Sequence, residues 1–244
     1  MRVSATRRCS SERCQVGSPP ARRYNHLMDE LTAVQRVATW ALPVLFAITV
    51  HEVAHGWVAR RLGDPTAYML GRLTLNPIKH IDPVGTILVP LALVMLGGFV
   101  FGWAKPVPVT WENLRHPKRD MALVAVAGPT ANLLMALLWA GAMKIGMLLA
   151  GTVDAVAIPL LYMGAAGIMI NLVLMVLNLL PLPPLDGGRV VTGLLPGRLS
   201  WQFSRIEPYG LMILLAMLFF GLLGDVLRPP VVLLQGLIFS MLGL

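Results

Sequence analysis

The chain has 244 residues, of which 56% are apolar and 13% charged, and its mean hydropathy is +0.70. Soluble domains carry about 25% charged residues, so too little polar surface is available to cover a water-soluble globule of this size. The composition excludes an ordinary soluble enzyme and a disordered chain, and a total of two cysteines excludes a disulfide scaffold.

The net charge of +8 and pI near 10.2 would suit a nucleic-acid binder, but the distribution points elsewhere. Arg2, Arg7, Arg8, Arg13, Arg22 and Arg23 lie in the first 26 residues, and most other basic residues fall in short segments between apolar runs. Such segments orient a multispanning membrane protein. The expected partner is therefore the lipid bilayer, with no nucleic acid. Residues 1–27 are rich in Arg, Ser and Pro, hold both Cys9 and Cys14, and contain no apolar run long enough for a signal sequence. They are expected to be a disordered or non-native tail ahead of a start at Met28, with 28–244 forming one membrane-embedded domain.

A spanning helix needs about 20 largely apolar residues. Residues 33–59 qualify, with a helix running on to Leu62 before Gly63-Asp64-Pro65 stops it. Arg72-Leu73-Thr74-Leu75 alternates polar and apolar, which predicts a short strand at the membrane edge. Residues 83–103 are apolar but broken by Pro90 and Gly97-Gly98, and Lys105-Pro106-Val107-Pro108-Val109 is extended because proline forbids regular helix. Residues 121–143 and 158–182 are further spans, 183–208 is a polar connector, 209–227 is another span, and 231–244 is too short to cross without tilt or thinning. The fold class is an all-α polytopic membrane protein, a bundle of about five to six transmembrane or re-entrant segments with short membrane-edge strands.

The first span contains His51-Glu52-Val53-Ala54-His55. Residues four apart share a helix face, so two imidazoles can aim at one ion with a carboxylate beside them. Ionisable residues are costly in an apolar helix and are functional candidates by default; the alternative is that the two histidines pair with neighbouring helices and bind nothing. A catalytic zinc takes three protein ligands and keeps a fourth place for water. The best third donor is Asp186 in Asn178-Leu179-Leu180-Pro181-Leu182-Pro183-Pro184-Leu185-Asp186-Gly187-Gly188-Arg189. There the prolines end the helix and the glycines permit close approach. Taken alone, Asp186 also suits a turn at a helix end.

These runs, together with Gly128-Pro129-Thr130-Ala131-Asn132, match in order the signature regions of a known family. So do Gly71-Arg72-Leu73-Thr74-Leu75-Asn76-Pro77, His80-Ile81-Asp82-Pro83 and Gly102-Trp103-Ala104-Lys105-Pro106-Val107-Pro108-Val109. Over residues 35–220 the chain resembles the site-2 protease family of intramembrane zinc metalloproteases, in its compact bacterial and archaeal branch without PDZ or CBS domains. The resemblance implies one Zn2+ held by His51, His55 and Asp186, Glu52 as the catalytic carboxylate, Asn132 at the substrate carbonyl or its oxyanion, and Asn178 in substrate positioning. It implies an endopeptidase that cleaves single-span membrane proteins within or near their membrane segments. A substrate helix must unwind first, and segments 72–75 and 105–109 are candidates to pair with it by edge addition. The alternative function is a membrane transporter or metal-handling protein that uses the same His/Asp site.

The metal fixes a depth that three segments must share, so spans 33–59 and 158–182 run in one direction and 121–143 in the other. Residues 83–103 must then return to the side they left, which predicts a re-entrant or bent hairpin. Arg60, Arg61, Arg72, Lys79, Lys105, Arg115, Lys118, Arg119, Arg189, Arg198 and Arg205 fall on one face, which is expected to be cytoplasmic. His80 reads as a polar loop residue and Asn171 as an interhelical hydrogen bond.

Overall fold

The structure is a computed structural model and describes residues 32–88 and 105–244. The predicted re-entrant turn, with Pro90 and Gly97-Gly98, falls largely outside the described residues, as do the tail and Met28.

Helix α1 (Ala33–Arg61) starts from a capping box: Thr32 Oγ1 accepts the Gln35 N–H, and Gln35 Oε1 accepts the Thr32 N–H. It ends where predicted, with Leu62 as its cap and Gly63 at φ 115, a backbone conformation that favours glycine. A one-turn helix α2 (Thr66–Met69) and a 3-10 turn at Pro77–His80 follow, then a π-helical turn at Pro83–Leu88. The chain then forms α3 (Pro117–Leu149), α4 (Asp154–Asn178), α5 (Asp186–Leu194), α6 (Gly197–Ser204), α7 (Glu207–Phe219) and α8 (Leu222–Leu242). Four helices among the described residues are long and apolar enough to cross a membrane: Val37–Arg61 of α1, α3, α4 and α8. The all-α polytopic class therefore holds.

Two expectations are corrected. Among the described residues no strand forms. At 72–75 the Thr74 carbonyl accepts from His80 Nε2, Thr74 Oγ1 accepts the Asn76 N–H, and Asn76 Oδ1 accepts the Ile78 N–H. These local bonds fold the segment into turns instead of a ladder. His80 is accordingly 2% exposed, a polar residue of this connecting segment that is tied down within the turn. The last two apolar segments also divide differently. Gly221, at φ 76, separates the 13-residue α7 from α8, and α8 continues through Pro229-Pro230. The prolines remove two helix bonds, but Val231, Ile238 and Phe239 pack into the main core and hold the helix together across them.

That core lies between α3 and α4, where Ala136 and Ala140 meet Ile168, Leu172, Met175 and Val176. A Cβ at Gly167 would sit 2.2 Å from Trp139 Cγ, so the indole packs directly on the α4 backbone. Small residues at such crossings are how membrane helices gain close packing. Trp40 packs with Ala165 and Met143, while His55 meets Val124, so α1 runs antiparallel to α3. Gly146 abuts Ala157 and Leu161, so α4 runs back along α3 and parallel to α1. Large exposed side chains such as Leu134, Leu138, Leu148, Leu211 and Leu233 then form the apolar outer surface that lipid would cover.

Candidate metal centre

The site is assembled at the C-terminal end of α1. His51 Nε2 and His55 Nε2 lie 3.0 Å apart, and each is 3.2 Å from Asp186 Oδ2. The two rings meet edge to face, as expected of neighbours one turn apart. Asp186 opens α5, directly after the proline run, and Gly187 and Gly188 bring it back against α4. A Cβ at Gly188 would lie 2.3 Å from Pro183 N and one at Gly187 2.3 Å from Leu179 O. No larger residue fits that turn, and Asp186 faces the two histidines from the first position of α5.

α3 supplies the back wall. The Val124 carbonyl can only accept, so the proton of His55 sits on Nδ1, which donates over 2.7 Å. Nε2 therefore carries the lone pair that faces the cluster. One turn on, a Cβ at Gly128 would come within 2.4 Å of His55 Nε2 and 2.5 Å of His51 Cε1. All three acceptor side chains are buried.

The residues fit a zinc ion. Two imidazole nitrogens and a carboxylate oxygen are zinc donors, and tetrahedral bonds of about 2.0–2.1 Å put ligand atoms about 3.3 Å apart, close to the 3.0–3.2 Å found. Asp186 Oδ2 is buried and accepts no well-aligned hydrogen bond, as an oxygen shaped to face a cation would.

Glu52 stands beside the cluster, and its Oε2 accepts the Val107 N–H at 2.7 Å. It lines a cavity of about 160 Å3 together with the three cluster residues, Val107, Trp111, Asn178 and Arg189. Asn178 is thus at the site, its amide donating to the Leu174 carbonyl. Asn132 lies one turn beyond Gly128 on α3, is 0% exposed, and has no hydrogen-bond partner on either amide atom. Asn171 is away from the site and donates within its own helix, to Gly167 O, instead of across helices. The backbone donor at Val107 and the Trp111 and Arg189 walls were not read from sequence. Arg189 ends the quoted proline-glycine run, but a main-chain N–H has no sequence signal.

A cluster that could hold an ion beside a cavity, between bilayer-length helices, suits a membrane-embedded metallohydrolase. Comparison with known proteins gives the family. The profile of Peptidase family M50 matches residues 140–221. The Bacillus subtilis protein named "Putative zinc metalloprotease YwhC" is 39% identical over 196 residues, covering 77% of this chain and 83% of that protein. "Putative zinc metalloprotease Rip2" of Mycolicibacterium smegmatis is 30% identical over 184 residues, 75% of this chain and 65% of the relative. "Protease RseP" of Yersinia pestis is 33% identical over 107 residues, 41% of this chain and 24% of the relative. No solved structure matches. The chain belongs to Peptidase family M50, the site-2 protease family, and is a zinc metalloendopeptidase of multi-pass membrane type.

Proposed function

We propose that the chain hydrolyses peptide bonds within or near the membrane segments of single-span membrane proteins, with His51, His55 and Asp186 holding zinc and Glu52 as general base. The observation that carries this is the convergence of the three donors within 3.2 Å of one another, beside Glu52 in an open cavity. Zinc held there would supply Lewis acidity, lowering the pKa of water from about 15.7 towards about 7. Glu52 uses one oxygen to accept the Val107 N–H, which leaves the other to take the water proton and pass it to the departing nitrogen. Asn132 is assigned to the substrate carbonyl oxygen, where a placed donor contributes a few kcal/mol; its buried amide is unpartnered but does not line the cavity, so this role requires substrate to open a path past Gly128. Asn178, in the cavity wall, positions the substrate chain.

The site opens at the end of the bundle that carries Arg60, Arg61, Arg115, Lys118, Arg119 and Arg189, and an excess of basic residues marks the cytoplasmic side. Cleavage is therefore expected near the cytoplasmic leaflet. The test is Glu52→Gln, assayed with a tagged single-span reporter and zinc analysis. The protease reading expects full zinc content and no cleavage. Retained cleavage refutes the role of Glu52, and zinc flux by the wild-type chain without proteolysis would favour a transporter.

A further inference from the structure

Asp64 is 0% exposed, and nothing in the chemistry above uses it. Its Oδ1 accepts from the Thr66 N–H at 3.0 Å, from Asn113 Nδ2 at 3.1 Å and from the Thr66 hydroxyl, and its Oδ2 accepts the Thr110 N–H at 2.7 Å. The Thr66 bonds are what a helix-ending Asp makes on its own turn. The bonds to Thr110 and Asn113 cross 46 and 49 residues and do something different. With the Arg115 N–H donating to the Leu62 carbonyl at 3.0 Å, they stitch residues 110–115 to the chain leaving α1.

Three residues before Thr110, the Val107 N–H holds Glu52 Oε2. One segment is therefore pinned to α1 twice, by Glu52 inside the helix and by Asp64 beyond its end. Between and beside the pins lie Pro106 and Pro108, which have fixed φ and no N–H to offer elsewhere. The Lys105 N–H is engaged by the His80 carbonyl at 2.9 Å. Between Thr110 and Val107 the φ of Pro108 is fixed and only Val109 keeps both backbone torsions, so a displacement of Thr110 has few ways to dissipate before it reaches Val107.

The geometry points to Asp64 as a positioning residue for Glu52, acting through the stiff 107–110 segment to hold the Val107 N–H against the carboxylate. The inference rests on the reading of Glu52 as the base. It gives the turn after α1 a role in turnover and not only in stopping a helix. It also limits the 105–110 segment as a strand-pairing edge. Its N–H groups at 105, 107 and 110 are already engaged and two positions are proline, so Val109 alone has a donor with no partner among the described residues.

The test uses the full chain in detergent micelles. Asp64→Asn keeps the side-chain size but replaces one acceptor oxygen with a donor, so it cannot accept on both sides. Two readouts are taken: hydrogen exchange at the Val107 amide in zinc-free protein, and kcat and KM on the tagged single-span reporter. Loss of one charge-assisted bond is worth about 1.5–3 kcal/mol. The expectation is therefore exchange at Val107 faster by roughly tenfold or more, and kcat lower by roughly tenfold or more with KM within about twofold. In a Val107→Pro background, Asp64→Asn should lower kcat by no further factor, since the link is already cut. Unchanged exchange at Val107, or losses that multiply in the double variant, would overturn the inference. If Asp64→Asn fails to fold, Thr66→Val and Asn113→Ala each remove one donor and should move Val107 exchange in the same direction by less; no movement in either overturns it. A wild-type chain that does not cleave the reporter, or a Glu52→Gln chain that does, counts against the protease reading and leaves the exchange result to stand alone.

Discussion

Gly128→Ala separates metal binding from folding. The added Cβ would lie 2.4 Å from His55 Nε2, 2.5 Å from His51 Cε1 and 2.6 Å from His55 Cε1. Carbon atoms rarely approach within about 3.0–3.5 Å, so both rings must retreat by at least about 0.5 Å. His55 cannot swing freely, because its Nδ1 is tied to the Val124 carbonyl one turn away on the same helix. Metal–ligand distances tolerate about 0.2 Å, so zinc affinity should fall at least 10- to 100-fold, the scale seen when ligand-orienting groups are lost. Folding should lose no more than about 2 kcal/mol. Alanine gains about 1 kcal/mol over glycine inside a helix, against about 1–3 kcal/mol for overpacking. Gly141→Ala on the same helix is the control: no atom lies within 4 Å of its added Cβ, so it should keep zinc and gain up to about 1 kcal/mol. Zinc retention through graded chelator dialysis, read beside thermal melts, measures both. Wild-type zinc affinity in Gly128→Ala would refute the placement of α3 against the cluster.

Asp64 also gives a pH dependence. Burial opposes its ionisation, but the bonds from Thr66, Asn113 and Thr110 outweigh that and lower its pKa below the ordinary 3.8. A depressed carboxyl contributes stability that is fully present above the unfolded pKa and is lost as pH falls through the folded one. The difference in melting temperature between wild type and Asp64→Asn should therefore be constant at neutral pH and shrink below about pH 4; a gap that persists into strong acid would contradict the charge-assisted bonds. At the α3–α4 crossing, Gly167→Ala forces a carbon to within 2.2 Å of the Trp139 ring. It should cost about 1–3 kcal/mol, visible as a lower melting temperature, and a Trp139→Leu partner change should recover part of it. Lys144 Nζ donates to the Gly243 carbonyl at the exposed end of α8. Lys144→Met should shift stability by no more than about 1 kcal/mol without altering zinc content.

Much of the site was legible in sequence because its chemistry is rare where it lies. Two histidines and a glutamate in an apolar helix have few structural uses, and a helix period places His51 and His55 on one face without reference to anything distant. Asp186 became a candidate only beside that helix, because the prolines and paired glycines around it equally suit a turn at a helix end, and it does open α5. The segments read wrongly share a different property: their form is decided by competition. At 72–75 the alternation of side chains favoured a strand, while the Thr74, Asn76 and His80 side chains offered the backbone nearer partners. At Pro229-Pro230 local propensity predicted a break, and burial of Val231, Ile238 and Phe239 overrode it. Asn171 looked like an interhelical donor, yet its own helix presented a carbonyl at 2.8 Å. The Val107 main-chain donor has no side-chain signature at all.

The same end of the bundle fixes how deep the attacked bond lies. Arg60 stacks on Tyr68, Arg61 on Trp57, Arg189 on Trp111 and Arg205 on Trp201. Trp57, Tyr68 and Trp201 are more than half exposed. Aromatic and basic side chains gather where a membrane meets water, so this belt marks the interface. The midpoint of His51–His55 lies four to eight residues before Trp57–Arg61 on α1, which at 1.5 Å per residue is about 6–12 Å below the belt. The bilayer midplane is about 15 Å from either edge of the hydrocarbon, so the cluster sits short of it. A substrate entering from this side reaches the cluster with about four to eight helical residues, or two to four extended ones. Mass mapping of fragments from the tagged reporter should therefore find the scissile bond within about eight residues of the border of its apolar segment. Moving that border by a few inserted leucines should move the cut with it. A cut fixed near the centre of the apolar segment, whatever its length, would mean that the belt does not mark the interface.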